Sequence, residues 1–203
     1  MGSRISLTED ELILFDVLFD KWDTLESLFP ENFSASHNLP YRHSLDEGGV
    51  RGVVESLLQR ELIQRRTERR SRRDITWLTL SAAGGSLWAL ERQPVWERFC
   101  TDSSWPSDND DGIWTLSVRS PSVETARAFL NTATSCGLYT VGTAQQSIVT
   151  TSPDELIPWR TFEVVHELRV PVSSPVTTSI DWDQYQRDRF WWRDVPELLT
   201  LTS

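Results

Sequence analysis

The sequence predicts an α+β protein made of two small domains. Three observations lead there. Apolar residues recur at helical spacing through the first 100 residues, two β-rich runs flank an arginine-dense turn, and beyond residue 112 the order becomes strand, helix, strand, strand. At 203 residues, 38% hydrophobic and 25% charged, the chain has the composition of folded globular protein rather than of a disordered one. The boundaries expected are a first domain over 1–100, a linker over 101–112 and a second α+β domain over 113–203 with a C-terminal helix. The linker sequence "TDSSWPSDNDDG" is dense in the residues that punctuate elements.

The first helix is signalled in "LTEDELILFDVLFDKWDTLESLF". Thr8 and Glu11 have capping-box spacing, with Leu7 and Leu12 placed as a hydrophobic staple. Apolar residues then follow at Leu12, Phe15, Leu18, Phe19, Trp22, Leu25 and Leu28, with Pro30 as the stop. Residues 30–43 hold two prolines and little periodicity and read as a loop with room for one short helical turn. A second helix is expected from Ser44, capped by a Ser44–Glu47 box, with Val50, Val54, Leu57 and Leu58 on its apolar stripe and Arg51, Glu55 and Gln59 facing outward. The runs "LIQRRTE" and "DITWLTLS" then predict a hairpin tipped by the arginines. Ser81 is the expected cap of a helix that buries Leu87, Trp88 and Leu90.

In the second half, "IWTLSVRS" reads as a strand. The next helix is expected from Ser120, with Pro121 in its first turn and Gly137 past its end. "LYTVGTA", "SIVTTS" and "TFEVVHELRVPV" read as strands and "DWDQYQRDRFWWRDVPELL" as a last helix, docked on the core or in a dimer contact.

Helix, helix, hairpin, helix is the order of a winged-helix domain. Trp77, Leu78, Thr79, Leu80, Gly84 or Gly85, Leu87 and Trp88, in "ITWLTLSAAGGSLWALE", resemble the second wing strand and following helix of winged-helix bacterial regulators of the multiple-antibiotic-resistance type. "VRGVVESLLQRELIQR" resembles their recognition helix, and the likeness spans roughly residues 7–100. It implies a DNA-binding transcriptional regulator. By that resemblance Arg51, Glu55 and Gln59 would face bases, and Arg65, Arg66, Arg69, Arg70, Arg72 and Arg73 would approach the phosphate backbone of double-stranded DNA.

Charge leaves more than one partner open. The formal net charge is -10, yet residues 60–73 set seven arginines against Glu61 and Glu68, a local +5. Over a Debye length of about 8 Å such a local field outweighs the total. Arginine takes phosphate and carboxylate equally well, so DNA, a protein partner or second copy, and a solvated hairpin tip all fit. A continuous basic face from Arg51 into the hairpin would favour DNA. Arginines facing carboxylates would favour a non-catalytic protein-interaction module on the same scaffold.

No catalytic, cofactor or metal constellation stands out. Cys100 and Cys136 lack a CxxC spacing, the three histidines are scattered, and "SDNDDG" lacks the acids an EF-hand loop needs. The pairs Gly48–Gly49 and Gly84–Gly85 lack the Lys-Ser/Thr of a phosphate-binding loop. No enzyme and no cofactor is expected. The N-terminal residues show no secretory pattern and no run is long enough to span a bilayer, so a soluble cytoplasmic protein without membrane contact is expected.

Overall fold

The computed structural model describes residues 6–37, 42–70, 73–106, 113–137, 140–141, 147–151 and 154–173. The architecture is mixed helix and sheet, and the chain divides into two units. Among the described residues, the first unit runs to Gln93 and adds Ile157–Arg160; the second takes Pro94–Leu156 and continues from Thr161. Within the stretch expected as a linker, Thr101–Pro106 is a strand, and 107–112 lies outside the described residues.

In the first unit, helix α1 (Glu9–Leu18) opens with the expected capping box, Glu11 N donating to Thr8 Oγ1 at 3.2 Å and Thr8 N to Glu11 Oε2 at 2.8 Å. It ends far earlier than the apolar spacing predicts. The chain continues as strand β1 (Asp23–Thr24) and a 3-10 turn (Leu25–Leu28) capped by Thr24. Leu25 and Leu28 lie three apart, a spacing that suits a 3-10 turn as well as an α-helix.

Residues expected to be loop form helix α2 (Pro30–His37), for which Pro30 and Glu31 supply first-turn residues. Helix α3 (Glu47–Gln59) is capped by Asp46, whose Oδ1 accepts from Gly49 N at 2.7 Å. Ser44 is not the cap, because Asp10 holds its N and Oγ at 2.7 and 2.9 Å. Helix α3 stops in a Schellman turn: Leu62 N donates to Leu57 O and Glu61 N to Leu58 O, with Glu61 left-handed at φ 57°.

Strands β2 (Ile63–Arg70) and β3 (Arg73–Leu80) then form the predicted hairpin, and β1 joins β3 to give the order β1-β3-β2. Helix α4 (Ala82–Arg92) is capped by Ser81 as expected. It buries Trp88 but leaves Leu90 54% exposed, against expectation. A stacked pair, Phe19 on Trp88 at 4.4 Å, centres the core of this unit. Trp159 meets Trp88 edge-on, and its Nε1 donates to Phe19 O at 2.6 Å.

The Gly84–Gly85 pair has a packing role. A Cβ on Gly84 would lie 1.9 Å from Leu62 O, and one on Gly85 would lie 2.1 Å from the Trp159 ring. Only glycines allow that approach.

The second unit holds an antiparallel sheet of β4 (Thr101–Pro106), β5 (Ile113–Ser120), β6 (Thr140–Val141), β7 (Ser147–Thr151) and β10 (Val165–Ser173). Strands β8 (Asp154–Ile157) and β9 (Arg160–Phe162) pair separately, so the single strand expected over "TFEVVHELRVPV" is divided between β9 and β10, and β8 is a strand that the sequence pattern does not announce. Central β10 pairs with β5 along His166–Ser173.

Helix α5 (Val123–Ser135) packs on β5 and β10 through buried Ala126, Phe129, Leu130 and Ala133, covering Leu116, Val118, Leu168 and Val170. Its cap is Ser122 rather than Ser120, since buried Ser120 Oγ donates to Phe99 O at 2.6 Å. Gly137 follows the helix at φ 76°. Cys100 and Cys136 are buried. The helix expected within "DWDQYQRDRFWWRDVPELL" lies outside the described residues.

Candidate nucleic-acid interface

The hairpin presents its arginines on two faces. Side chains alternate along a strand, so Arg66, Glu68 and Arg70 share one face with their cross-strand neighbours Trp77, Ile75 and Arg73. Arg65, Thr67 and Arg69 share the other with Leu78, Thr76 and Asp74. From Ile63 to Leu80 six arginines stand against Glu68 and Asp74, a net charge of +4.

On the first face the arginines are braced by indoles. The Arg66 guanidinium lies 4.5 Å over Trp22 and 5.7 Å from Trp77, and that of Arg70 lies 5.8 Å from Trp77. Glu68 sits between the two arginines, with Arg70 Nη2 at 3.1 Å from Oε2 and Arg66 Nη2 at 3.7 Å from Oε1. Trp22 enters the site because α1 ends at Leu18 and the chain turns back as β1. The helical spacing assigned Trp22 to a core stripe, and nothing local in the sequence marks it as an arginine partner.

On the second face the pairing is looser. Arg65 Nη1 lies 3.3 Å from Glu55 of α3, and Arg69 Nη1 3.7 Å from Asp74 of β3. These pairs are exposed, a setting in which an ion pair is worth about 0–1 kcal/mol. They orient the arginines without committing them. Arg73 is exposed, with no carboxylate in ion-pair range among the described residues. Arg72 lies outside the described residues.

Helix α3 differs in character. Arg51 donates to Glu47 Oε1 from both Nε and Nη2, at 3.1 and 2.8 Å, and its guanidinium covers Phe29 at 4.7 Å. Gln59 is exposed one turn beyond Glu55. The outward row Glu47, Arg51, Glu55, Gln59 is thus mixed in sign. At its start Asp46 caps the helix and Asp10 binds Ser44, so carboxylates already occupy the end where free N–H groups would attract phosphate. Arg60, at the other end, is ion-paired with Glu11. The basic surface does not run unbroken from Arg51 into the hairpin.

Compared with protein-family models, with curated proteins and with solved structures, the chain finds no match. The geometry alone carries the reading. Among the described residues, no group of three or more His, Cys, Asp or Glu could hold a metal ion, and no helix is long and apolar enough to cross a membrane.

Proposed function

We propose that residues 7–93 are a winged-helix domain that binds duplex DNA by laying its arginine hairpin along the phosphate backbone, within a transcriptional regulator of the cytoplasm. The observation that carries this reading is the +4 hairpin itself, projecting directly from the end of α3, although the unbroken basic face from Arg51 that would also favour DNA is not found. The order α1, β1, α2, α3, β2, β3 with sheet order β1-β3-β2 supports the winged-helix assignment. The acidic start of α3 makes that helix a poor reader of bases. Contacts to phosphate would therefore dominate, giving affinity with little sequence discrimination.

A second reading, a non-catalytic protein-interaction module, is favoured by one specific observation. Arg51, Arg65, Arg66, Arg69 and Arg70 each face a carboxylate, the arrangement a partner's acidic surface would extend.

Fluorescence anisotropy on a mixed-sequence duplex across a salt series separates the two. DNA binding through the hairpin predicts a log–log salt slope of about -0.9 per phosphate neutralised. Replacing Arg65, Arg66, Arg69 and Arg70 with glutamine together should flatten that slope. No binding at low salt, by wild type or by a variant whose hairpin arginines are relieved of a facing carboxylate, would remove the DNA reading.

A further inference from the structure

We propose that Arg66 and Arg70 form an anion site that Glu68 fills in the free protein, and that a phosphate group of duplex DNA displaces this carboxylate. The inference rests on the DNA reading and adds to it which hairpin face docks and what holds that face in check.

Residues 66, 68 and 70 alternate onto one face of β2, so the two guanidinium groups flank a single carboxylate. Arg70 reaches Glu68 Oε2 from both Nε and Nη2, at 3.2 and 3.1 Å, and Arg66 approaches Oε1 at 3.7 Å. A phosphodiester presents the same element, two oxygens sharing one negative charge, to the same planar donors. The indoles leave those donors available, because an indole ring offers no side-chain acceptor atom: the Arg66 guanidinium lies 4.5 Å over Trp22 and that of Arg70 5.8 Å from Trp77. An arginine already held this way loses less freedom when it binds.

Glu68 is also easy to move. Its side chain is 35% exposed and its partners are 47% and 64% exposed, so it can swing into water when phosphate arrives. The opposite face lacks this arrangement. There Arg65 and Arg69 face separate carboxylates on separate elements, and neither is stacked on a ring among the described residues.

The test is anisotropy with the full chain and a labelled mixed-sequence duplex at low salt, comparing wild type, Glu68→Gln, Glu55→Gln and the pair Arg66→Gln/Arg70→Gln. Glu68→Gln should tighten binding about fivefold, the worth of one exposed ion pair. Glu55→Gln removes the same charge from the other face and should change affinity much less. The double arginine variant should lower the salt slope by about 0.9, one phosphate contact, and abolish the gain from Glu68→Gln.

Binding by Glu68→Gln where wild type is silent would also support the site. Equal gains from Glu55→Gln and Glu68→Gln would reduce the effect to net charge and overturn the site while leaving DNA binding intact. No duplex binding by either wild type or Glu68→Gln would overturn both. Poly-glutamate bound more tightly than duplex, with the same Glu68 dependence, would assign the site to an acidic protein partner and overturn the phosphate assignment.

Discussion

The Arg92 guanidinium closes on both oxygens of Asp16, Nε to Oδ1 at 3.1 Å and Nη2 to Oδ2 at 2.7 Å. Asp16 interrupts an otherwise apolar stretch of α1, and Trp88 Nε1 donates to the same Oδ1 at 2.8 Å. The two charged side chains are only 3% and 9% exposed. A buried carboxylate held by Arg92 and Trp88 ties α1 to α4.

Removing one member of that pair should therefore be costly. Asp16→Ala strands a buried guanidinium and an indole N–H, and a loss of about 3–5 kcal/mol is expected. Asp16→Leu combined with Arg92→Met should recover most of it. Urea unfolding followed by tryptophan fluorescence measures both. A loss below about 1 kcal/mol for the single variant would mean that the pair is not the tie described.

Three glycines give a graded prediction. Gly84→Ala drives a methyl group into the Leu62 carbonyl, which is backbone and cannot yield, while Gly85→Ala meets the Trp159 ring, a side chain with some room to shift. Both should destabilise by about 1–3 kcal/mol, Gly84→Ala more. Gly52→Ala, at an exposed α3 position with nothing within 4 Å, should instead stabilise by about 0.5–1 kcal/mol. Midpoints of urea unfolding should follow that order.

Glu61 occupies the left-handed position that ends α3, where a side chain costs about 1–2 kcal/mol. Glu61→Gly should raise stability by about 1 kcal/mol, less whatever glycine adds to the entropy of the unfolded chain. Thermal unfolding reads the change. A lower midpoint would show that the Glu61 side chain makes a contact worth more than its backbone strain.

Glu167 predicts a pH dependence in the second unit. Arg169 donates to it from Nε and Nη2 at 2.8 and 2.9 Å and Ser117 Oγ at 2.6 Å, holding the carboxyl below its usual range in spite of burial. A carboxyl depressed on folding contributes stability above its unfolded pKa and loses it as pH falls through the lower folded value. Arg169→Gln should therefore weaken the protein at neutral pH, and the difference from wild type should close on acidification through and below the carboxylate range. A difference that persisted unchanged in acid would show that Arg169 acts by packing.

How much of this was legible depended on how local each signal was. The Thr8–Glu11 box, the Ser81 cap and Gly137 lie within one turn of the elements they delimit, and each was readable. Ser44 and Ser120 carry the right chemistry but are claimed by distant partners, Asp10 and the Phe99 carbonyl, so the caps moved to Asp46 and Ser122. The early end of α1 was hidden because one apolar rhythm serves helix, strand and 3-10 turn in succession. The hairpin arginines could be placed from sequence, since alternation and β-branched and aromatic content marked the strand that follows them. Their partners could not, because Trp22 and Glu55 reach them only through the fold.

The root of the hairpin is unusually fastened. Leu62 donates its N–H to Leu57 at the end of α3, its carbonyl accepts from Ser81 N at 3.0 Å, and that same carbonyl lies against Gly84 of α4. Ser81 Oγ adds a bond to Glu61 O at 2.7 Å. Two strands of eight residues extend from this joint, about 25 Å of lever at the usual rise per residue. The hairpin, α3 and α4 thus share a single joint, and any shift at the Leu62 carbonyl is felt at the ends of both helices at once.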